Sequence, residues 1–265
     1  MGRESLHFHV AHPVEGNRKN FFSYNEQMPN AAFPPTQWSV LFALQGGLPE
    51  EAERGMVRLC ESYWYPIYAF IRGTGHDRPA AEDLTQQFFT NLIARETFEN
   101  IAPERGRFRS FLLAAVQHFL SNQRHRDRAK KRGGGVAPLS LDFAAADDRY
   151  RLEPRAAETP ETLYEIRWAR ALLDDSLHRL HAECVKAGKA VQFQAFRPFL
   201  MDDDPPSYAG TAAHLKLTEG AAKVAVHRMR KRFGEILRAR IGETVASLEE
   251  ADEELRYVGE LLKRR

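Results

Sequence analysis

Apolar residues recur every three or four positions along most of this chain, and β-branched runs of period two are almost absent. That pattern builds amphipathic helices and leaves little for a sheet, so the expected fold class is all-α. The clearest case is the stretch 80–132. Ala81, Leu84, Phe88 and Leu92 make one stripe of a helix over about 79–95. Pro79 suits its first turn, where a missing N–H is harmless, and Glu82 and Asp83 are read there against the positive end of the helix dipole. A second helix over 107–131 begins apolar, with Phe111, Leu112, Val116, Phe119 and Leu120, and ends in a basic run from Arg124 to Arg132. Between Arg105 and Arg132 nine Arg or Lys residues stand against the single acid Asp127, a local net of +8. Alone, an amphipathic helix is most often core and a basic run most often a solvated helix end. Together they make a surface of rings and cations, the mixture that holds single-stranded bases and their phosphates.

Composition bounds the rest. The 265 residues, 43% apolar and 28% charged, fit a soluble chain of one or two domains. Net charge is only +2, so the informative fact is segregation of charge along the chain rather than a global field. Cys60 and Cys184 sit in helical patterns and read as unpaired thiols of a reducing compartment. With no apolar run long enough to span a membrane and no signal-peptide core, a cytoplasmic location is expected. There is no H-E-x-x-H, phosphate loop or C-x-x-C, and the histidines lack ligand spacing. The chain is therefore read as a non-enzyme with no metal and no cofactor.

In chain order, residues 1–35 show no periodicity and read as a disordered tail, although His7 and His9 have a spacing that a metal could use. Met28 opens a segment that runs naturally into Pro34, Pro35 and Trp38, and is a candidate translation start. Residues 36–47 suit a short helix capped by Thr36 and stopped by Gly46 and Gly47. Residues 50–72 suit a longer one, with Val57, Cys60, Trp64, Ile67, Tyr68 and Ile71 inward and a local bend at Pro66. Residues 133–160 carry Gly133, Gly134, Gly135, Pro138, Pro154 and Pro160 and read as a flexible linker, slightly favoured as a passive tether. Helices are expected at 161–182, with Leu163, Ile166, Ala169, Leu173 and Leu177 as the stripe, and at 189–200, with Phe193, Phe196 and Phe199 in the core.

A second basic helix follows. Ser207 caps a short helix ending near Leu215, Lys216 and Leu217 turn the chain, and Thr218 caps a longer helix with Ala222, Val226, Met229 and Phe233 inward. Gly210 replaces the acid of a Ser-x-x-Glu capping box, which weakens that helix start. From Thr218 to Arg240 seven basic residues face Glu219 and Glu235, a net of +5. Helix, tight turn and basic helix are the helix-turn-helix pattern. Beside the capping Thr218, the residues Glu219, Lys223 and His227 are placed for base edges, and Arg228, Arg230, Lys231 and Arg232 mostly for phosphates. Residues 242–265 add a charged helix with Val245, Leu248, Leu255, Val258 and Leu262 on one side, either resting on the preceding domain or serving a regulatory partner.

The segments PAAEDLTQQFFTNLI and PERGRFRSFLLAAVQHFL resemble region 2 of the extracytoplasmic-function (ECF) sigma factors of bacterial RNA polymerase, and 207–241 resembles their region 4. Together they cover roughly 36–241. The resemblance implies two helical domains: region 2 over 36–132 after a tail at 1–35, and region 4 over 161–241. Residues 133–160 link them, threaded toward the RNA exit path, and 242–265 form a C-terminal extension. It implies docking on the clamp helices of the largest polymerase subunits through Glu82, Asp83, Gln86, Gln87 and Asn91. It implies capture of the unpaired minus-ten strand through Arg107, Phe108, Arg109, Ser110, His118, Asn122, Arg124, Arg126, Arg128, Lys130 and Lys131. The helix from Thr218 would read the minus-thirty-five element. The partners so implied are core RNA polymerase and promoter DNA, with an anti-sigma protein or a Ser/Thr kinase as candidate regulators and no membrane.

Two departures stand out. Where many relatives have Asn-Leu-Ala-Leu-Asp, this chain has His118, Phe119, Leu120, Ser121 and Asn122. Where many have Gln-Glu, it has Gln86 and Gln87, one carboxylate fewer, and phosphorylation of the adjacent Thr85 would restore the charge. The rival readings are a helix-turn-helix regulator that never engages polymerase and a sequestering protein that keeps the fold without opening promoters.

Overall fold

Over residues 59–71 the first described helix has almost no solvent face. Leu59, Cys60, Tyr63, Trp64, Tyr65, Ile67, Tyr68, Ala69, Phe70 and Ile71 are all buried. A helix apolar all round has to be wrapped on every side, and that requirement organises the first half of the protein. The structure is a computed structural model that describes residues 49–93, 107–127, 141, 143, 150, 159–245 and 247–263. The expected helix at 36–47, the tail and Met28 lie outside the described residues. Eight helices and no strand occur among them: α1 Pro49–Gly73, α2 Arg78–Ile93, α3 Phe108–Asp127, α4 Pro160–Lys186, α5 Ala190–Met201, α6 Tyr208–His214, α7 Glu219–Gly242 and α8 Leu248–Lys263. The chain is all-α, as its periodicity predicts. It divides into two compact units: the described residues up to Trp168 with Thr244 and Val245, and those of 169–243 with 247 onward.

In the first unit α1 runs unbroken through Pro66 to Gly73, and the turn after it passes through Gly75, whose φ of +97° suits glycine. Asp77 then caps α2, its Oδ1 accepting from the Ala80 N–H at 3.0 Å. Because the helix starts at Arg78, Pro79 does lie in its first turn, but Glu82 and Asp83 fall one turn later than the sequence suggested. Asp77 supplies the acid at the dipole instead. Ala81, Phe88 and Leu92 are buried as expected, and the stripe widens to Phe89 and Thr85, while Leu84 is only half-buried. Thr85 is fully buried, and its hydroxyl donates to the Ala81 carbonyl at 2.6 Å. That corrects the reading of Thr85 as a phosphorylation switch. No kinase reaches a fully buried side chain, and a phosphate there would bury charge.

Aromatic rings fill the remaining space around α1. Phe108 of α3 meets Tyr63 edge-on at 5.6 Å, and Tyr164 of α4 meets Phe70 at 6.5 Å. Two rings come from the stretch that composition marks as linker. Phe143 packs against Trp64 and Tyr68 at 5.8 and 5.7 Å. Tyr150 packs against Tyr68 at 6.5 Å and lies under the Arg72 guanidinium. At these positions the chain is anchored in the core rather than a passive tether. Sequence reasoning missed them because isolated aromatics among Gly and Pro carry no periodicity.

The second unit is built on an aromatic-lined helical cluster. Phe196 and Phe199 of α5, Ala212 of α6, and Ala222 and Val226 of α7 form its core, with Tyr208, Leu215, Leu217 and Met229 packed around them. The phenylalanines expected in the core are there. The preceding helix is longer than expected, reaching Lys186, and closes at Gly188 with a φ of +68°. The C-terminal helix α8 is capped by Ser247, whose Oγ accepts from Glu250 N–H. It packs on α7 through Ala251, Val258, Leu261 and Leu262. A fork of two bonds from Arg238 to Asp252, at 2.8 and 2.9 Å, fixes its register.

Both cysteines are free thiols, and burial pushes Cys60 up to about 12. Among the described residues no helix is long and apolar enough to cross a membrane, and no group of His, Cys, Asp or Glu is arranged to hold a metal.

Removing the Phe143 ring is expected to lower unfolding free energy by about 3 kcal/mol, the usual loss for a buried Phe→Ala. Urea denaturation of Phe143→Ala measures it; an unchanged midpoint would show that the ring contributes nothing to the core.

Candidate nucleic-acid and polymerase interfaces

The outer face of α2 carries the five polar residues singled out for docking. Asp83 is exposed, and Glu82, Gln86, Gln87 and Asn91 are half-buried. Arg78 pairs with Glu82 at 2.6 Å one turn on. Gln87 does two jobs: its amide nitrogen donates to Asp83 Oδ2 at 2.7 Å, and its oxygen accepts from Gln123 of α3 at 2.6 Å. A carboxylate at 87 could only accept, and it would set a like charge beside Asp83. The glutamine thus trades one charge for an ordered Asp83.

Helix α3 separates its candidates sharply. Ser110, His118 and Asn122 are exposed, on a face shared with Ala114, Gln117 and Ser121, and Asn122 Nδ2 lies 3.3 Å from His118 Nδ1. Two others are not on that face. Phe108 is fully buried against Tyr63 and Phe111. Its backbone N–H, one of the donors that a helix start leaves without an intrahelical partner, is met by the Thr244 carbonyl at 3.1 Å. Arg109 is 4% exposed, pairs with Glu165 at 2.5 Å and lies over the Trp168 ring. Tyr164 seals the site by donating its hydroxyl to the Arg109 carbonyl at 3.0 Å, and burial raises the Tyr164 pKa well above that of an ordinary tyrosine. Phe108 and Arg109 are therefore core residues, and their assignment to DNA is corrected. A charge paired in this way is costly to uncover, because breaking the pair strands the other partner. Arg107 is half-buried. The side chains of Arg124 and Arg126, and residues Arg128, Lys130 and Lys131, lie outside what the structure describes.

The helix-turn-helix forms as its caps dictate. Ser207 Oγ accepts from the Gly210 N–H at 3.1 Å, so half of a capping box survives without the acid. The turn after α6 is a Schellman closure, with Leu217 N–H on the Ala212 carbonyl and Lys216 N–H on that of Ala213. Lys216 takes the left-handed position, φ 55°, where glycine is more usual. Thr218 then caps α7, its Oγ1 accepting from the Ala221 N–H at 3.2 Å.

On α7 the side chains of Thr218, Glu219, Lys223, His227, Arg228 and Lys231 are exposed, as a reading face requires. Glu219 and Lys223 pair at 2.6 Å, and the Lys223 ammonium lies 5.7 Å from the centre of the Tyr208 ring. The hydrogen bond to Glu219 raises the Lys223 pKa, keeping it charged. Arg230 is not on that face. It is half-buried and donates through Nη2 at 2.8 Å and Nε at 3.3 Å to the Phe199 carbonyl near the end of α5. Its assignment to phosphate is corrected, because these donors tie α7 to α5. Arg232 is likewise held by Glu183 and Glu235, and its bond draws the Glu183 pKa below the usual carboxylate range.

These geometries distinguish two arginines close together on α7. Arg230→Ala is expected to lower stability by about 1–2 kcal/mol through the unmade bonds to the Phe199 carbonyl. Arg228→Ala, at an exposed position, is expected to leave stability unchanged. Thermal unfolding of both variants checks this; equal midpoints would contradict it.

A family model described as ECF sigma factor matches residues 75–233, a span from just before α2 into α7 that leaves out α8. No curated protein and no solved structure matches the chain. The matched span is more than half of the chain and contains both the α2–α3 pair and the helix-turn-helix. The chain belongs to the ECF sigma factor family, whose members act in transcription initiation with core RNA polymerase and promoter DNA as partners.

Proposed function

We propose that this chain directs core RNA polymerase to its promoters through three separate faces. The first is the polar side of α2, where Glu82, Asp83, Gln86, Gln87 and Asn91 would dock on the clamp helices of the largest subunits. The second is the exposed side of α3, where Ser110, His118 and Asn122 would meet an unpaired base of the minus-ten element. The basic run from Arg124 would hold the phosphates upstream of it. The third is the N-terminal half of α7, reading the minus-thirty-five element in the major groove, with Arg228 and Lys231 on phosphates. In this reading 36–132 acts as region 2, 161–241 as region 4, 133–160 as their connection and 242–265 as an extension bracing α7. The protein works in the cytoplasm.

The observation that carries the reading is the ordered acidic and amide face of α2. A DNA-binding regulator that ignores polymerase has no use for it, yet Gln87 is committed to holding Asp83 in place. A flipped base at His118 would find an edge partner in the imidazole and in the Asn122 amide beside it.

Co-elution with core RNA polymerase on a sizing column tests the docking face. The wild-type chain is expected to co-elute at low salt. Asp83→Arg, at an exposed site, is expected to weaken the complex about tenfold or more by presenting like charge at the contact. Co-elution unaffected by that change would remove α2 from the docking surface. Sequence-specific DNA binding with no co-elution would favour the free-standing regulator.

A further inference from the structure

The reading face of α7 has an apolar centre. Among the described residues only Val185, Val191 and Val224 are large apolar side chains left exposed, and Val224 is 51% exposed. A single exposed valine needs no explanation by itself. The position of this one does. The inward row of α7 is Ala222, Val226, Met229 and Phe233, all buried but the partly buried Met229, at spacings of four, three and four. The row Gly220, Val224, His227 and Lys231 has the same spacings two residues earlier, about 200° round a helix of 3.6 residues per turn. Val224 therefore sits on the midline of the face opposite the core, in the N-terminal half that enters a groove. A β-branched residue is a poor choice for an exposed helix position on propensity grounds.

The neighbours of Val224 leave that midline clear. Gly220, one turn toward the N-terminus, has no side chain, and a Cβ built there would meet nothing within 4 Å. Lys223 is drawn off the midline by its ion pair with Glu219 and its position over Tyr208. An approaching base pair would find an open floor at Gly220 and an isopropyl group at Val224. In the major groove the one apolar feature among the base edges is the C5-methyl of thymine, and apolar side chains read it by contact.

We propose that Val224 is a specificity-determining residue that reads the methyl group of one thymine in the upstream promoter element. This rests on the proposed reading of α7 as the minus-thirty-five helix and adds the kind of base edge it selects. Lys223 and Glu219 act beside it as a paired, charged shoulder, and His227 reads the next step along the groove.

The test uses polymerase assembled with the full chain. Selection from a duplex library randomised over the upstream element defines the preferred site for the wild type and for Val224→Ala. Alanine is the better helix former, so the variant keeps the helix. Each selected thymine is then replaced by deoxyuridine, which removes only the methyl. At one position the wild type is expected to lose about fourfold in affinity, the worth of one buried methyl. Val224→Ala is expected to bind thymine and deoxyuridine there equally and to keep its preferences elsewhere. Assembly and sequence enrichment without a methyl-sensitive position, or with one that survives in Val224→Ala, would overturn the role of Val224 alone. No assembly with polymerase, or no enrichment at all, would overturn it together with the reading of α7 on which it rests.

Discussion

Burial of residues 63–71 of α1 on every side is the constraint from which the first unit follows. A helix with Tyr63, Trp64, Tyr68 and Phe70 all below the surface needs aromatic partners from several directions. It draws them from far along the chain: Phe108, Phe143, Tyr150, Tyr164 and Trp168, whose indole N–H donates to the Tyr63 hydroxyl at 3.2 Å. Packing in this unit leaves α2 and α3 with one face spent on the core and one presented outward. The division of α3 between buried Phe108 and exposed Ser110, His118 and Asn122 is a consequence of that packing.

Basic residues sort in the same way. Arg109, Arg230, Arg232, Arg238 and Arg240 are engaged by partners of the chain itself, namely Glu165, the Phe199 carbonyl, Glu183, Asp252 and Asp175 respectively. A count of Lys and Arg along a helix therefore overstates what it offers to DNA. On α7 the exposed cations are Lys223, Arg228, Lys231 and Arg232, with Lys223 already paired to Glu219 and Arg232 to Glu183 and Glu235. Cations spent on internal partners release no counterions on binding, so the salt dependence should reflect the smaller set.

What the sequence made legible was local. Ser207 and Thr218 cap their helices, Lys216 and Leu217 turn the chain, and Phe193, Phe196 and Phe199 are core, because each is decided within a few residues by hydrogen bonding or periodicity. A threonine hydroxyl looks polar in a sequence, but the bond of Thr85 to the Ala81 carbonyl, four residues back, lets it pack as an apolar group. Arg109 and Arg230 were misread for a different reason. Their partners lie 56 and 31 residues away, and the partner of Arg230 is a backbone carbonyl with no signature in the sequence. Val224 is an apolar residue in a helical pattern, so its exposure emerges only once the inward row of α7 is known.

Promoter-dependent transcription tests the central claim most directly. Core RNA polymerase is incubated with fragmented DNA of the source bacterium, with and without the chain, and transcript starts are mapped. The account predicts discrete starts that need the chain and that share an upstream and a downstream element. Binding of the chain to DNA with no new starts from polymerase would contradict it.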